Sequence, residues 1–233
     1  MTNHVWAIFW KLLKDTLKNK TILIQFVMFP FMTIIMENAI SIEGMPEHYF
    51  ANLFAVMYVG MAPLTCAAAI ISEEKEKNTL RVLQMCNVKA FEFLMGNAIY
   101  IVSVCMIGSL VIGLAGGYRG SELVYFCMLM LLGHIISCVL GAAVGVISKN
   151  QMSATSITVP AMLVLSFIPM LSMFNETIQK VGKFVFSEQL YLLINDLEEV
   201  HIEPETGIIL GCNVLLIAVV FLGAYRRAFG RAR

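Results

Sequence analysis

Residues 71–97 read ISEEKEKNTLRVLQMCNVKAFEFLMGN and place a dense charge cluster between two long apolar segments. All five residues from 73 to 77 are charged, whereas the more than twenty residues before them, 49–72, contain no Asp, Glu, Lys or Arg. A helix of about 20 mostly apolar residues is long enough to cross the hydrocarbon core of a bilayer. The cluster therefore predicts a polar junction between two membrane spans.

The composition of the whole chain agrees with a membrane environment. Of its 233 residues, 59% are hydrophobic and only 14% are charged, and the mean hydropathy is +0.80. A soluble domain carries roughly a quarter charged residues. The formal net charge is zero, so we expect no nucleic-acid partner. The six cysteines include no Cys-x-x-Cys pair and are interpreted as small packing residues.

Six stretches are long and apolar enough to span, which predicts an all-α integral membrane protein with six transmembrane helices. The predicted spans are 21–40, 50–72, 91–115, 124–147, 156–173 and 207–225. We expect a single transmembrane domain over 1–233. Its parts are an interfacial helix at 1–20, spans one to five at 21–173, an outer loop with short helices at 174–206, and span six with a basic tail at 207–233.

The basic residues are distributed unevenly about these spans. Thirteen Lys and Arg residues lie before span one, between spans two and three, between spans four and five, or after span six, and three lie on the opposite side. Lys and Arg accumulate on the cytoplasmic side of membrane proteins. The bias predicts a multi-pass protein of the cell membrane with both termini and segment 73–90 in the cytoplasm.

The residues before span one form an amphipathic pattern. Trp6 and Trp10 share one helical face with other apolar residues, and Lys11 and Lys14 lie on the other face. Such a helix lies in the membrane interface, with tryptophans at headgroup depth and lysines toward anionic lipid. It is interpreted either as a simple membrane anchor or as an element that also transmits motion.

The outer loop contains two short helical patterns. Asn175 is predicted to cap the first and Ser187 the second. Leu190, Leu193, Ile194 and Leu197 would share a face of the second helix.

Two ionisable residues lie within the predicted spans and are candidates for a transport pathway. They are Glu37, near the end of span one, and His134, near the middle of span four. The alternative for His134 is a helix–helix hydrogen bond. Span four also contains the pair Gly141 and Gly145, and span six opens with Gly207 and Gly211; this spacing permits close helix packing within a chain or between chains.

Several enzymatic motifs are missing from the sequence. No Gly-x-x-x-x-Gly-Lys-Ser/Thr phosphate-binding loop and no His-Glu-x-x-His zinc motif occurs. We therefore expect no catalytic residue, metal site or bound cofactor in this chain, and expect that it is not an enzyme.

The order of residues in 73–90 predicts a short surface helix. Glu73 and Lys77 form an i,i+4 pair that would extend span two into water. Asn78 suggests a break and Asn87 a second one. Between them, Leu80, Val82 and Leu83 form an apolar patch beside Arg81. A short helix of this kind, held across the membrane surface, is typical of a docking element for a partner.

The run EEKEKNTLRVLQMCNVKAFEFLMGN resembles the segment after the second span of ABC type-2 exporter permeases. The residues that match that pattern are Glu73, Glu74, Glu76, Thr79 and Leu80. Asn78 stands where a glycine is usual, Arg81 where an acid is common, and Asn97 where a basic residue is frequent; no proline occurs near Asn87. The interfacial helix, six spans and short helices before the last span extend the resemblance over nearly the whole chain.

The resemblance implies that two permease copies pair, as a homodimer or heterodimer, above two separate ABC ATPase subunits that bind ATP and Mg. The implied ATPase-coupling residues are Glu73, Glu74, Glu76, Thr79, Leu80, Arg81 and Leu83. The N-terminal helix would carry the motion together with them. A hydrophobic or amphipathic cargo, a peptide such as a bacteriocin or a drug, is expected. The alternatives are a channel or secondary carrier that works without ATP, an exporter of lipid-linked glycan, and an assembly or sensor protein without cargo.

Overall fold

The computed structural model describes residues 2–18, 20–40, 46–197 and 204–229, and these residues form helices without any strand. Some side chains in the helices, among them that of Arg81, lie outside this description. The helices are α1 (Thr2–Lys18), α2 (Lys20–Ala39), α3 (Tyr49–Glu76), α4 (Thr79–Met85), α5 (Ala90–Ala115), α6 (Gly120–Ile147), α7 (Gln151–Ser172), α8 (Glu176–Gly182), α9 (Phe186–Asn195) and α10 (Pro204–Phe229).

Five of these helices are long and apolar enough to cross a membrane. They are α3, α5, α6, α7 and the part of α10 from Glu205 to Arg227. The apolar part of α2 is shorter, Leu23–Ala39. The all-helical membrane fold predicted from the sequence is therefore confirmed, while the exact number of six spans stays a prediction.

Helix α3 is the centre of the bundle. It contacts α6, α7, α5 and α2, and 78% of its most apolar window is buried inside the protein. Small residues on α6 make this packing possible. A Cβ atom added at Gly141 would collide with the backbone carbonyl of Leu64, and one added at Gly145 would lie 3.0 Å from the carbonyl oxygen of Ala68. The glycine pair of span four therefore packs within this chain.

The short helices α8 and α9 close the end of the bundle opposite to Glu76. Asn175 caps α8 as predicted, because its side-chain oxygen accepts hydrogen bonds from the amides of Thr177 and Ile178 at 2.9 and 3.2 Å. The prediction that Ser187 caps α9 is wrong. Helix α9 begins after Val185, and Ser187 lies buried inside its first turn.

One face of α9 is buried against the core of the bundle. Leu190, Ile194 and Leu197 are buried in the main hydrophobic cluster, on the face that the sequence pattern predicted. The helix lies against α3, α7, α6 and α10. It therefore links the central helix to the last one.

Candidate functional site: the charged junction

The charge cluster lies where α3 leaves the bundle, and we call residues 73–77 the charged junction. Lys77 donates a hydrogen bond to Glu73 Oε1 at 2.5 Å, which confirms the predicted i,i+4 pair. The pKa of Lys77 is raised, chiefly by this hydrogen bond and by the charge of Glu73. The pair extends α3 by a turn beyond its apolar part.

The second acid of the junction reaches α1. Lys11 Nζ donates to Glu74 Oε1 at 2.5 Å, and the Glu74 side chain is only 13% exposed. The sequence predicted that Lys11 contacts anionic lipid and that Glu74 couples to an ATPase. It gave no sign that the two side chains contact each other, because they are 63 residues apart. The contact ties the N-terminal helix to the end of the central helix.

The next residue reaches the end of α6. Lys75 Nζ donates to the backbone carbonyl oxygens of Val146 and Ser148 at 2.6 and 2.5 Å. The last carbonyls of a helix have no partner inside it and carry the negative end of the helix dipole. A lysine at this place satisfies both carbonyls and complements the dipole.

The third acid reaches the start of α7. Glu76 Oε2 accepts a hydrogen bond from the backbone amide of Gln151 at 2.9 Å. Asn150 caps the same helix by accepting from the amide of Ser153 at 2.8 Å. A carboxylate at a helix N-terminus meets free amides and the positive end of the dipole.

These contacts account for a charge cluster in the middle of an apolar chain. Three consecutive residues, Glu74, Lys75 and Glu76, each bind a different helix: α1, α6 and α7. A displacement of the end of α3 must therefore move these helices or break charged hydrogen bonds. The junction therefore joins the end of the central helix to three other helices.

Helix α1 has three faces rather than the two that the sequence pattern predicts. Ile8 and Leu12 are buried in the core, and Ile8 packs on Gly96 of α5, where an added Cβ would lie 2.9 Å from it. Trp6 and Trp10 are 56% and 45% exposed on a second face. Lys11, with Lys14, occupies the remaining polar face.

A second polar contact between α1 and α5 was missed by the sequence analysis. His4 Nδ1 lies 3.1 Å from Glu92 Oε2, and the backbone amide of Lys89 donates to the same oxygen at 3.0 Å. Glu92 is 4% exposed and caps the first turn of its own helix. Its position three residues after Lys89 was an available signal for the cap, but not for His4.

Helix α4 follows the junction and is bounded by the two predicted breaks. Asn78 and Asn87 both adopt positive φ, 56° and 65°, a conformation that asparagine tolerates better than most residues. Both breaks come from local backbone preference. They set α4 apart as a separate seven-residue helix.

The apolar residues of α4 divide between two sides. Leu80 and Leu83 are half-buried against the hydrophobic core, so they hold α4 on the bundle. Val82 and Met85 are 56% and 79% exposed. The predicted patch of Leu80, Val82 and Leu83 is thus not one surface, and the outward face is Val82 with Met85.

The two intramembrane ionisable residues have structural partners. Glu37 Oε1 accepts from the amide of Ala51 at 2.7 Å and so caps the start of α3. His134 is fully buried, and its Nε2 lies 2.7 Å from Ser109 Oγ on α5. The helix–helix hydrogen bond proposed for His134 is present, and a transport role for either residue stays a prediction.

These helices and their burial define a multi-pass helical membrane protein. The chain belongs to the ABC-2 transporter family: the family model described as ABC-2 family transporter protein matches residues 7–226. The resemblance inferred from residues 73–97 is confirmed by this match. No curated protein matches the chain.

Proposed function

We propose that this chain is the permease subunit of an ATP-driven exporter, powered by separate ATPase subunits that bind ATP and Mg. The chain itself has no phosphate-binding loop, so it acts through its partners and not as an enzyme. Family membership supports the permease class. Two permease copies with two ATPases make up the proposed assembly, with both termini in the cytoplasm.

The observation that carries the proposal is the charged junction together with α4. A short helix set off by two positive-φ asparagines directly follows three charged residues that bind α1, α6 and α7. A partner that moves α4 would pull on the end of α3. That end would then shift the N-terminal helix and the two neighbouring spans at once.

The outward face of α4 is the proposed contact with the ATPase. Val82 and Met85 would enter an apolar cleft of the partner. The charge pair of Glu73 and Lys77 precedes α4 in the chain. Apolar anchors supply binding energy and charges at the rim fix the register. Leu80 and Leu83 contribute to the proposed coupling from the opposite face of α4, because they pack against the core of the bundle and hold α4 on it.

The proposed cargo is a hydrophobic or amphipathic molecule, such as a peptide of the bacteriocin type or a drug. The support for this class is chemical: the membrane helices expose apolar side chains, which are the kind of surface that such a molecule contacts. A lipid-linked glycan is the second cargo class. A channel or secondary carrier without an ATPase is the competing function.

The test is purification of the tagged chain from its native membrane, with identification of the proteins that accompany it and a measurement of ATP hydrolysis. We expect a stoichiometric ATPase and vanadate-sensitive turnover. Val82→Glu should remove the ATPase, because a buried charge would replace an apolar anchor. Val181→Glu is the matched control, since Val181 is 62% exposed on α8 at the other end of the bundle.

Two results would count against the proposal. A folded chain with no accompanying ATPase and no hydrolysis would support the channel or carrier. An ATPase that binds Val82→Glu as well as the unmodified chain would show that α4 is not the contact, even though the permease class would stand.

A further inference from the structure

A polar cavity of about 400 Å³ lies at the end of the bundle opposite to the charged junction. The start of α3, the start of α6 and the end of α9 contribute to its walls, through Tyr49, Glu122 and Asn195. The volume lies within the range for small-molecule sites in proteins. None of the described residues of the charged junction or of α4 lines this cavity.

One part of the lining is a network of neutral side chains that are hydrogen-bonded within the protein. The Tyr118 hydroxyl donates to Asn52 Oδ1 at 2.6 Å, and Asn52 donates its side-chain amide to Asn195 Oδ1 at 2.8 Å. The Nδ1–H group of His48 donates to the carbonyl oxygen of Gly116. Three hydrogen-bond donors of the lining therefore already have acceptors and are not free for a ligand.

The two carboxylates of the lining have no such partners. Glu47 precedes α3 and is exposed, and Glu122 in the first turn of α6 is half-buried, so both side chains keep accessible surface. Neither has a hydrogen bond or an ion pair to a residue that the structure describes. Within the same described part of the chain, no Lys or Arg lines the cavity. Arg119 is the neighbour of Tyr118, and its guanidinium donates to the carbonyls of Leu114 and Tyr118.

These groups indicate the chemistry of a ligand. Ionised carboxylates only accept hydrogen bonds, and their bonds to charged donors are stronger than those to neutral ones. A ligand with a positive charge and N–H groups therefore supplies what the lining lacks. A metal ion fits less well, because the described residues include no group of three His, Cys, Asp or Glu that could hold one. The half-buried ring of Tyr49 supplies an apolar surface for the body of an organic cation.

We propose that this cavity binds a protonated primary amine, with its ammonium group at the carboxylates of Glu122 and Glu47 and its apolar body against Tyr49. The site takes a small organic cation at the end of the bundle that lies away from α4. This binding claim goes beyond the proposed exporter function and does not depend on an ATPase.

The experiment compares 2-phenylethylamine, which is protonated at neutral pH, with 2-phenylethanol, a neutral molecule of nearly equal size and shape. The purified full chain in dodecylmaltoside micelles is titrated with each probe in a calorimeter, and the heats of injection into empty micelles are subtracted. We expect saturable binding of the amine. Binding of the alcohol should be about tenfold weaker, because hydrogen bonds between charged groups contribute more than neutral ones.

Substitution of each carboxylate tests the place of binding. Glu122→Gln keeps the shape of the side chain and should weaken binding of the amine about tenfold, while binding of the alcohol stays unchanged. Glu47→Gln is a second test at an exposed residue outside the helices, where the fold is not at risk, and should weaken the amine about threefold. Glu176→Gln is the matched control, since it removes the same charge from an exposed residue of α8 that does not line the cavity.

Two kinds of outcome would overturn the proposal. No saturable binding of the amine to the unmodified chain, or equal affinities for the amine and the alcohol, would show that the cavity does not select a cation. Amine binding that Glu122→Gln and Glu47→Gln weaken no more than Glu176→Gln does would place the amine outside the cavity. Because none of these measurements needs an ATPase, failure of the binding claim and failure of the proposed exporter function are separate results.

Discussion

Helices α3 and α10 have similar lengths and apolar character, yet they occupy opposite environments. In the most apolar window of α3, 78% of the residues are buried inside the protein, against 17% in α10. The first is tied at its start by Glu37 and at its end by the charged junction. Hydropathy alone describes both as spans, and only their neighbours distinguish a central helix from a peripheral one.

Two glycine pairs with the same spacing show the difference at atomic scale. Gly141 and Gly145 of α6 lie against α3, where an added Cβ would meet backbone or side-chain atoms. Gly207 and Gly211 of α10 have no atom within 4 Å of such a Cβ. The motif therefore predicts a surface that permits close approach, and the fold decides whether anything approaches.

The largest expected loss of stability comes from a substitution that disrupts the packing of α6 on the central helix α3. Gly141→Leu should destabilise the protein by about 3 kcal/mol or more, because the new side chain would overlap the backbone of α3. Gly211→Leu, the matched change on α10, should stay within about 0.5 kcal/mol. Thermal unfolding of both variants in the same detergent measures the contrast, and equal losses would contradict the assignment of a central and a peripheral helix.

The second effect concerns Glu188 on α9, the helix that joins α3 to α10. Burial raises the pKa of this carboxyl above its usual value of 4.5, and the hydrogen bond from Ser172 at 2.7 Å opposes the rise only in part. Between the usual pKa and the raised one, the folded state therefore binds more protons than the unfolded chain. Stability should fall as pH rises from about 4.5 through the raised pKa.

Glu188→Gln removes this titration. We expect the variant to be more stable than the unmodified protein at neutral pH, by roughly 1 kcal/mol, and to show a flatter dependence of Tm on pH in that window. Melting curves from pH 4 to pH 8 test it, with Glu176→Gln as an exposed control on the neighbouring helix. Parallel curves for all three proteins would show that the Glu188 carboxyl does not titrate with a raised pKa in the folded state.

The third prediction concerns the ion pair that connects α1 to the end of α3. A double-mutant cycle of Lys11→Met and Glu74→Gln should give a coupling free energy of about 0.5–1 kcal/mol for this ion pair. The value is small because the Lys11 side chain is 45% exposed. In the complex with an ATPase, Glu74→Gln should also lower ATP-stimulated transport while ATPase binding is retained. Normal transport in a folded Glu74→Gln protein would count against force transmission through α1.

The smallest expected effect concerns His134. Glutamine in its place can keep the hydrogen bond to Ser109, and interhelical hydrogen bonds in membranes contribute about 0.6 kcal/mol on average. We expect His134→Gln to change both Tm and transport only modestly. Complete loss of transport in a stable His134→Gln protein would assign this residue to the pathway instead of to packing.

Local features of this protein follow from the sequence because their causes are local. The long apolar runs predicted the span helices, and the side-chain oxygen of Asn175 predicted the start of α8. Asn78 and Asn87 predicted the ends of α4, since asparagine adopts positive φ at low cost. Each of these signals acts over a few residues or over one helix length.

The partners of the charged residues depended on tertiary structure. Glu74 meets Lys11, and Lys75 meets the end of α6, across 63 to 73 positions of sequence. The sequence likewise predicted an apolar patch on α4 but not that Leu83 faces inward while Met85 faces outward. Periodicity in the sequence specifies that one face of a helix is apolar, but it does not specify which neighbouring helix covers that face. The sequence therefore determined the helices and their breaks. The tertiary structure decided which helices contact one another.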